Sequence, residues 1–182
     1  MTAADGRKSP AVRAGHLAAI ALFAIALATG WLAFDFGLKM RIAQRDTLFA
    51  VHRLAGLGCG VLLLLWLGYR LRHLRRLLAL PGREALIAAY HMLLATICLI
   101  LPTLPWIGRA LGGRSAELYT LRPIANLVSH PALPATYKLL HWHRLLVDVA
   151  LVMLLAHMLG ALFHLLVMKD DTVRRMLALR GD

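Results

Sequence analysis

Apolar positions along the chain gather into four blocks, separated by stretches rich in charge, glycine or proline. Within each block the apolar run is too continuous for a helix that turns one face to water. The blocks run roughly from Val12 to Phe34, Thr47 to Tyr69, Glu84 to Trp106 and Tyr137 to Met168. Crossing ~30 Å of hydrocarbon takes about 20 helical residues, and each block is long enough. The pattern predicts an all-α membrane protein, a four-helix transmembrane bundle forming one domain over residues 1–182.

Composition supports that reading. Hydrophobic residues make up 60% of the 182 residues and the mean hydropathy is +0.68, far above a soluble domain. The net charge of +12 would suit a nucleic-acid binder, but the basic residues sit at block ends and form no stripe on a soluble face. Arg7 and Lys8 precede the first block and Arg13 opens it. Arg70, Arg72, Arg75, Arg76 and Arg83 link the second to the third, and Lys169, Arg174, Arg175 and Arg180 follow the fourth. By the positive-inside rule these ends are cytoplasmic, which predicts N-in and C-in, with membrane lipid as a partner and no nucleic acid.

The first block resembles a signal peptide, with Ala26-Leu27-Ala28 before Thr29-Gly30 as a small-residue cleavage site. Retention is expected, because the apolar run continues through Trp31 to Phe34 and carries His16. Cys59 and Cys98 lie inside blocks and read as packing residues. The sequence has no C-x-x-C-H, which argues against covalently attached c-type haem. The connection from Ile107 to Thr136, with Gly112-Gly113, Pro123, Pro131 and Pro134, is the only loop long enough to hold structure of its own. It should lie on the periplasmic side beside the shorter loop from Asp35 to Asp46.

The blocks also contain His16, His52, His91, His141, His143, His157 and His164, of the nine histidines in the chain. His141 sits at the mouth of the fourth block and suits a water-facing position. One buried histidine is usually a satisfied packing residue, but six ionisable rings in a bilayer point to a pathway, a partner or a cofactor. His143 and His157 are fourteen residues apart, so on a helix they return to nearly the same face, about 21 Å along the axis. From the N-in topology His52 and His143 share a level near the periplasmic end. His16, His91, His157 and His164 lie toward the other side, and any two of those four could pair.

That arrangement suits two bis-histidine haems b stacked in the bundle, each imidazole giving one nitrogen to iron while the other seeks a hydrogen bond. Zinc competes less well, since no Cys, Asp or Glu completes a tetrahedral set. Asp148 is the only acid deep in the fourth block, about 140° around the helix from His143. One turn from Arg144, it is expected to form an i, i+4 ion pair, with a proton relay as the sharper alternative. Gly56 and Gly60, one turn apart after His52, make a bare face that serves either helix packing or a macrocycle. Arg53, Arg70 and Arg144 are candidates for haem propionates or lipid phosphates.

Taken together, the chain resembles the bacterial cytochromes b561, small four-span dihaem proteins of the inner membrane. The resemblance rests on His143, His157 and His164 followed by Lys169-Asp170-Asp171-Thr172 with Arg175-Met176, on His52 with Gly56, and on Pro105 to Gly108 closing the third span. It implies that His16 and His157 hold a cytoplasmic-side haem iron, and His52 and His143 a periplasmic-side one. The chain departs from the family in having His16-Leu17 where members usually have His-Trp. His91 aligns with the span-three histidine by its distance to Pro102 or, less well, Pro105, and its role stays open.

Bis-histidine iron has no free position for substrate, so the resemblance implies a dihaem electron-transfer protein moving single electrons between a quinone such as ubiquinone and a redox partner. His91 and His164 are the candidate quinone contacts. Two alternatives stand beside it. One is a superoxide oxidase reducing ubiquinone, with Arg41, Arg45, Arg109 and Arg114 attracting the anion. The other is the haem-bearing membrane anchor of a larger respiratory complex. A non-redox scaffold or transporter is the remaining class.

Overall fold

The computed structural model describes residues 10–36, 39, 41–73, 75, 79–111, 116–118, 121–124, 133–171, 173 and 176. Among the predicted topology markers, Arg7, Lys8, Arg76, Arg174, Arg175 and Arg180 lie outside these residues, as do Gly112, Gly113, Arg114, Pro131 and Thr172.

Four long helices account for nearly all of the described chain: α1 (Pro10–Asp35), α2 (Ile42–Arg72), α3 (Gly82–Leu111) and α4 (Leu133–Phe163). All four are long and apolar enough to cross a membrane, α4 together with the residues to Met168. Each begins before the apolar block that predicts it, because polar residues also adopt helix where the chain leaves the hydrocarbon. At the start of α2 the side-chain oxygen of Gln44 accepts the Arg41 amide at 3.2 Å, and the Gln44 amide donates to the Arg41 carbonyl at 3.0 Å. That closure satisfies amides that an uncapped start leaves open. Pro134 falls in the first turn of α4, where a missing amide costs nothing.

α4 runs into a single π-helical turn, His164–Met168, and stops at Lys169, whose left-handed conformation (φ 52°) turns the chain off the axis. Between α3 and α4, the loop expected to hold structure carries a two-stranded antiparallel hairpin, β1 (Ala116–Leu118) and β2 (Leu121–Ile124). Ala116 stands opposite Ile124 and Leu118 opposite Leu121. β1 touches both α2 and α3, so the hairpin caps one end of the bundle, called here the hairpin end. The start of α1 and the finish of α4 define the other, the terminal end.

Consecutive helices pack closely, α1 on α2, α2 on α3 and α3 on α4, whereas the backbones of α1 and α4 approach one another far less. The close contacts are made by small side chains. Ala33, Ala55, Cys59, Gly60, Ala95 and Ala150 are buried. Cys98, Leu101 and Ala150 form the central cluster, with Phe23, Leu63 and Leu146 against it. This is how helices associate in lipid, where apolar side chains gain little by leaving the solvent and tight backbone approach carries the packing. Large apolar residues such as Leu65, Val152 and Met158 remain about two-thirds exposed on the outside. Both cysteines are buried and unbridged, in keeping with a packing role.

Candidate functional site

Two groups of histidines face across the bundle, one near each end. At the hairpin end, His52 of α2 and His143 of α4 have ring centres 6.1 Å apart with planes nearly perpendicular. Each ring is held through Nδ1 by a backbone carbonyl of a third helix: His52 by Ala26 of α1 at 2.7 Å, and His143 by Leu101 of α3 at 2.8 Å. A carbonyl only accepts, so both Nδ1 atoms carry the proton and both Nε2 atoms hold a free lone pair. The His52 ring reaches Ala26 because position 30 is glycine. A Cβ there would lie 2.7 Å from Nδ1 and 2.8 Å from Cε1, closer than any side chain packs.

At the terminal end, His16 of α1 and His157 of α4 have ring centres 6.3 Å apart at 60°. Nδ1 of His16 is buried and has no hydrogen-bond partner among the described residues. His91 of α3 stands edge-on to His157 with ring centres only 5.1 Å apart, and its Nδ1 donates to the Ile87 carbonyl of its own helix at 2.7 Å. The Tyr90 hydroxyl donates to the Met153 carbonyl one turn before His157, pinning α3 to α4 at that level.

These spacings have chemical meaning. Metal–nitrogen bonds of about 2.0–2.1 Å, plus about 1.1 Å from each ring nitrogen to its ring centre, set two imidazoles roughly 6.2–6.4 Å apart across one metal ion. The His16–His157 separation of 6.3 Å falls in that span and the His52–His143 separation of 6.1 Å lies within about 0.1 Å of it, whereas the 5.1 Å between His91 and His157 is a ring contact too short for it. No three His, Cys, Asp or Glu side chains among the described residues converge as a protein-only metal site would require. Two imidazoles facing one iron, each with its other nitrogen on a carbonyl, would suit a haem, and His52 and His143 meet that description, whereas Nδ1 of His16 has no such partner among the described residues.

The remaining predicted residues lie elsewhere. His164 makes a separate contact: its Nδ1 lies 2.6 Å from Oδ2 of Asp170. The left-handed Lys169 brings Asp170 back over the π turn, so that the Asp170 amide also bonds the His164 carbonyl at 3.3 Å. Gly56 and Gly60 pack on α3, their Cβ positions 3.9 and 3.2 Å from Pro102.

Arg53 folds back to donate Nε–H to the Phe49 carbonyl at 3.1 Å, and Arg70 lies over the Trp66 ring. His141 is exposed beside Trp142. At the hairpin end Arg41 and Arg45 are exposed and Arg109 is half-buried. The expected Arg144–Asp148 ion pair is corrected by the structure: both residues are exposed, and the pair is not among the contacts that the described residues form. Arg preceding its acid at i, i+4 is the weaker order, opposed to the helix dipole, and exposed pairs gain little.

Sequence reasoning missed Gly30, the carbonyls of Ala26 and Leu101, Tyr90, and Asp170 as the partner of His164. Their importance depends on which helix lies opposite, which periodicity along one block does not carry.

Four apolar helices enclosing paired imidazoles at two depths define a class, the integral-membrane cytochromes b. The profile of the prokaryotic cytochrome b561 family matches residues 7–178, and the chain belongs to that family. No curated protein matches it. Membership makes this a multi-pass membrane protein that binds haem b and transfers electrons.

Proposed function

We propose that the protein carries two haems b, one between His52 and His143 and one between His16 and His157, and relays single electrons between them across the membrane. The observation that carries this reading is the pair of ring separations, 6.1 and 6.3 Å, each suited to one metal ion. Haem held by these histidine pairs would supply reversible one-electron chemistry. His143 and His157 lie about 21 Å apart along α4, so the two pairs sit at separate depths. The Ala26 and Leu101 carbonyls fix the ring planes at the hairpin end and, by drawing on Nδ1–H, make those imidazoles stronger donors through Nε2. The basic residues at the terminal end orient that end to the cytoplasm of a bacterial inner membrane, and the hairpin end to the periplasm.

The terminal redox partner is a quinone, which reaches the bundle through lipid and becomes quinol by taking two electrons and two protons. In this reading His164 with Asp170 delivers a proton to it, which the contact between them supports: the carboxylate holds Nδ1–H, and Nε2 is the nitrogen left for exchange. The test is anaerobic reoxidation of the dithionite-reduced protein by a soluble ubiquinone analogue. Reoxidation is expected, slowed at least about tenfold in His164→Gln with both haems retained, as befits loss of a general acid. Haem that stays reduced would remove the quinone, and an unchanged rate in the variant would remove His164 from proton delivery.

A further inference from the structure

In a helix the carbonyl of residue i accepts the amide of residue i+4. The carbonyl of Leu101 should therefore take the amide of residue 105, but that residue is proline and has none. Leu101 is buried in lipid-spanning protein, where a carbonyl without a donor is costly. The group that donates instead is Nδ1–H of His143, at 2.8 Å.

A second contact sets the register. The Thr136 hydroxyl donates to the Gly108 carbonyl at 2.8 Å, and a Cβ on Gly108 would meet Leu139 Cβ at 3.5 Å and the Thr136 carbonyl at 3.6 Å. Those are ordinary contact distances, so what fixes α4 against α3 here is the Thr136 hydroxyl on the Gly108 carbonyl. From Thr136 to His143 is seven residues, and from Gly108 back to Leu101 is also seven. Along antiparallel helices both steps are two turns, about 10.5 Å on nearly one face. Anchoring Thr136 on Gly108 therefore delivers His143 to the Leu101 carbonyl that Pro105 has left open. Pro102 opens the Cys98 carbonyl in the same manner, but its ring packs against Gly56 and Gly60 of α2, so the two prolines serve different neighbours.

We infer that Pro105 and Thr136 are positioning residues for His143, the proline by freeing the acceptor that orients the imidazole and the threonine by anchoring α4 on the Gly108 carbonyl, which sets the helix register that brings it there. The inference rests on His143 being an axial ligand, as proposed above. A carbonyl that accepts Nδ1–H makes the imidazole a stronger donor and favours the oxidised iron.

The test is Pro105→Ala in the haem-loaded protein, read by a spectroscopic redox titration and by low-temperature electron paramagnetic resonance. The variant regains an amide that competes for the Leu101 carbonyl, and alanine suits a helix better than proline, so folding is not at risk. The centre that is lost in His143→Ala should favour its reduced form about threefold more, a rise of roughly 28 mV at 59 mV per tenfold change. The other centre should not move, which makes it an internal control. Selective loss of the His143 centre would also support the inference. Unchanged potentials and spectra, or equal shifts in both centres, would overturn it. Retention of every haem by His143→Ala would instead overturn the ligand reading, so the two failures are told apart.

Discussion

Replacing Gly30 with alanine should remove one haem and leave the other. A Cβ at position 30 would stand 2.7 Å from His52 Nδ1 and 2.8 Å from Cε1, whereas ordinary contact begins at 3.4 Å. The imidazole is rigid and hydrogen-bonded at 2.7 Å to Ala26, so it must withdraw by about 0.7 Å, beyond the ±0.2 Å that a metal–ligand bond tolerates. Withdrawal breaks the Ala26 bond and displaces the ring from its 6.1 Å separation from His143. The substitution itself favours helix by about 0.8–1.0 kcal/mol, so a loss cannot be ascribed to a weakened α1. Haem per chain, measured by the pyridine haemochrome method on detergent-purified protein, should fall to about half that of the parent. Gly68→Ala, where a Cβ meets nothing within 4 Å, should leave it unchanged. A Gly30→Ala protein with the full haem content and unaltered spectra would refute the account of His52.

Three further outcomes follow from the same contacts. Alanine at His52 or at His143 should abolish the same spectral component, and alanine at His16 or at His157 the other, while His91→Ala keeps both; a haem lost with His91 would break the assignment by ring separation. Gly60→Leu drives side-chain atoms into Pro102, 3.2 Å from the glycine's Cβ position, and should cost about 1–3 kcal/mol by overpacking, visible as a lower midpoint in detergent-mediated unfolding. Tyr90→Phe loses the hydroxyl that joins α3 to the Met153 carbonyl and should cost about 1 kcal/mol, with no change in haem content; loss of the terminal-end haem would mean that Tyr90 does more than brace α4.

The four spans were legible because lipid removes the ambiguity that burial creates in water: a continuous apolar run of some twenty residues has few alternatives. The His52–His143 level was legible for a related reason, since depth in a straight helix follows from residue count alone. At the terminal end, depth left His16, His91, His157 and His164 equivalent. What separates them is lateral, a 6.3 Å gap, a 5.1 Å ring contact and a carboxylate beside His164, and count along one helix says nothing of these. Gly30 was read as part of a cleavage-like stretch because its smallness has meaning only against the histidine of another helix. Arg144 and Asp148 have pairing spacing, yet spacing does not supply the burial that makes a pair worth forming.

The central claim is that the paired histidines hold two haems b in one chain, and haem stoichiometry tests it most directly. Pyridine haemochrome quantitation with reduced-minus-oxidised spectra, on protein purified in detergent after expression with ample haem, should give about two b-type haems per chain in low-spin, six-coordinate form. One haem per chain, or a colourless protein, would contradict the account.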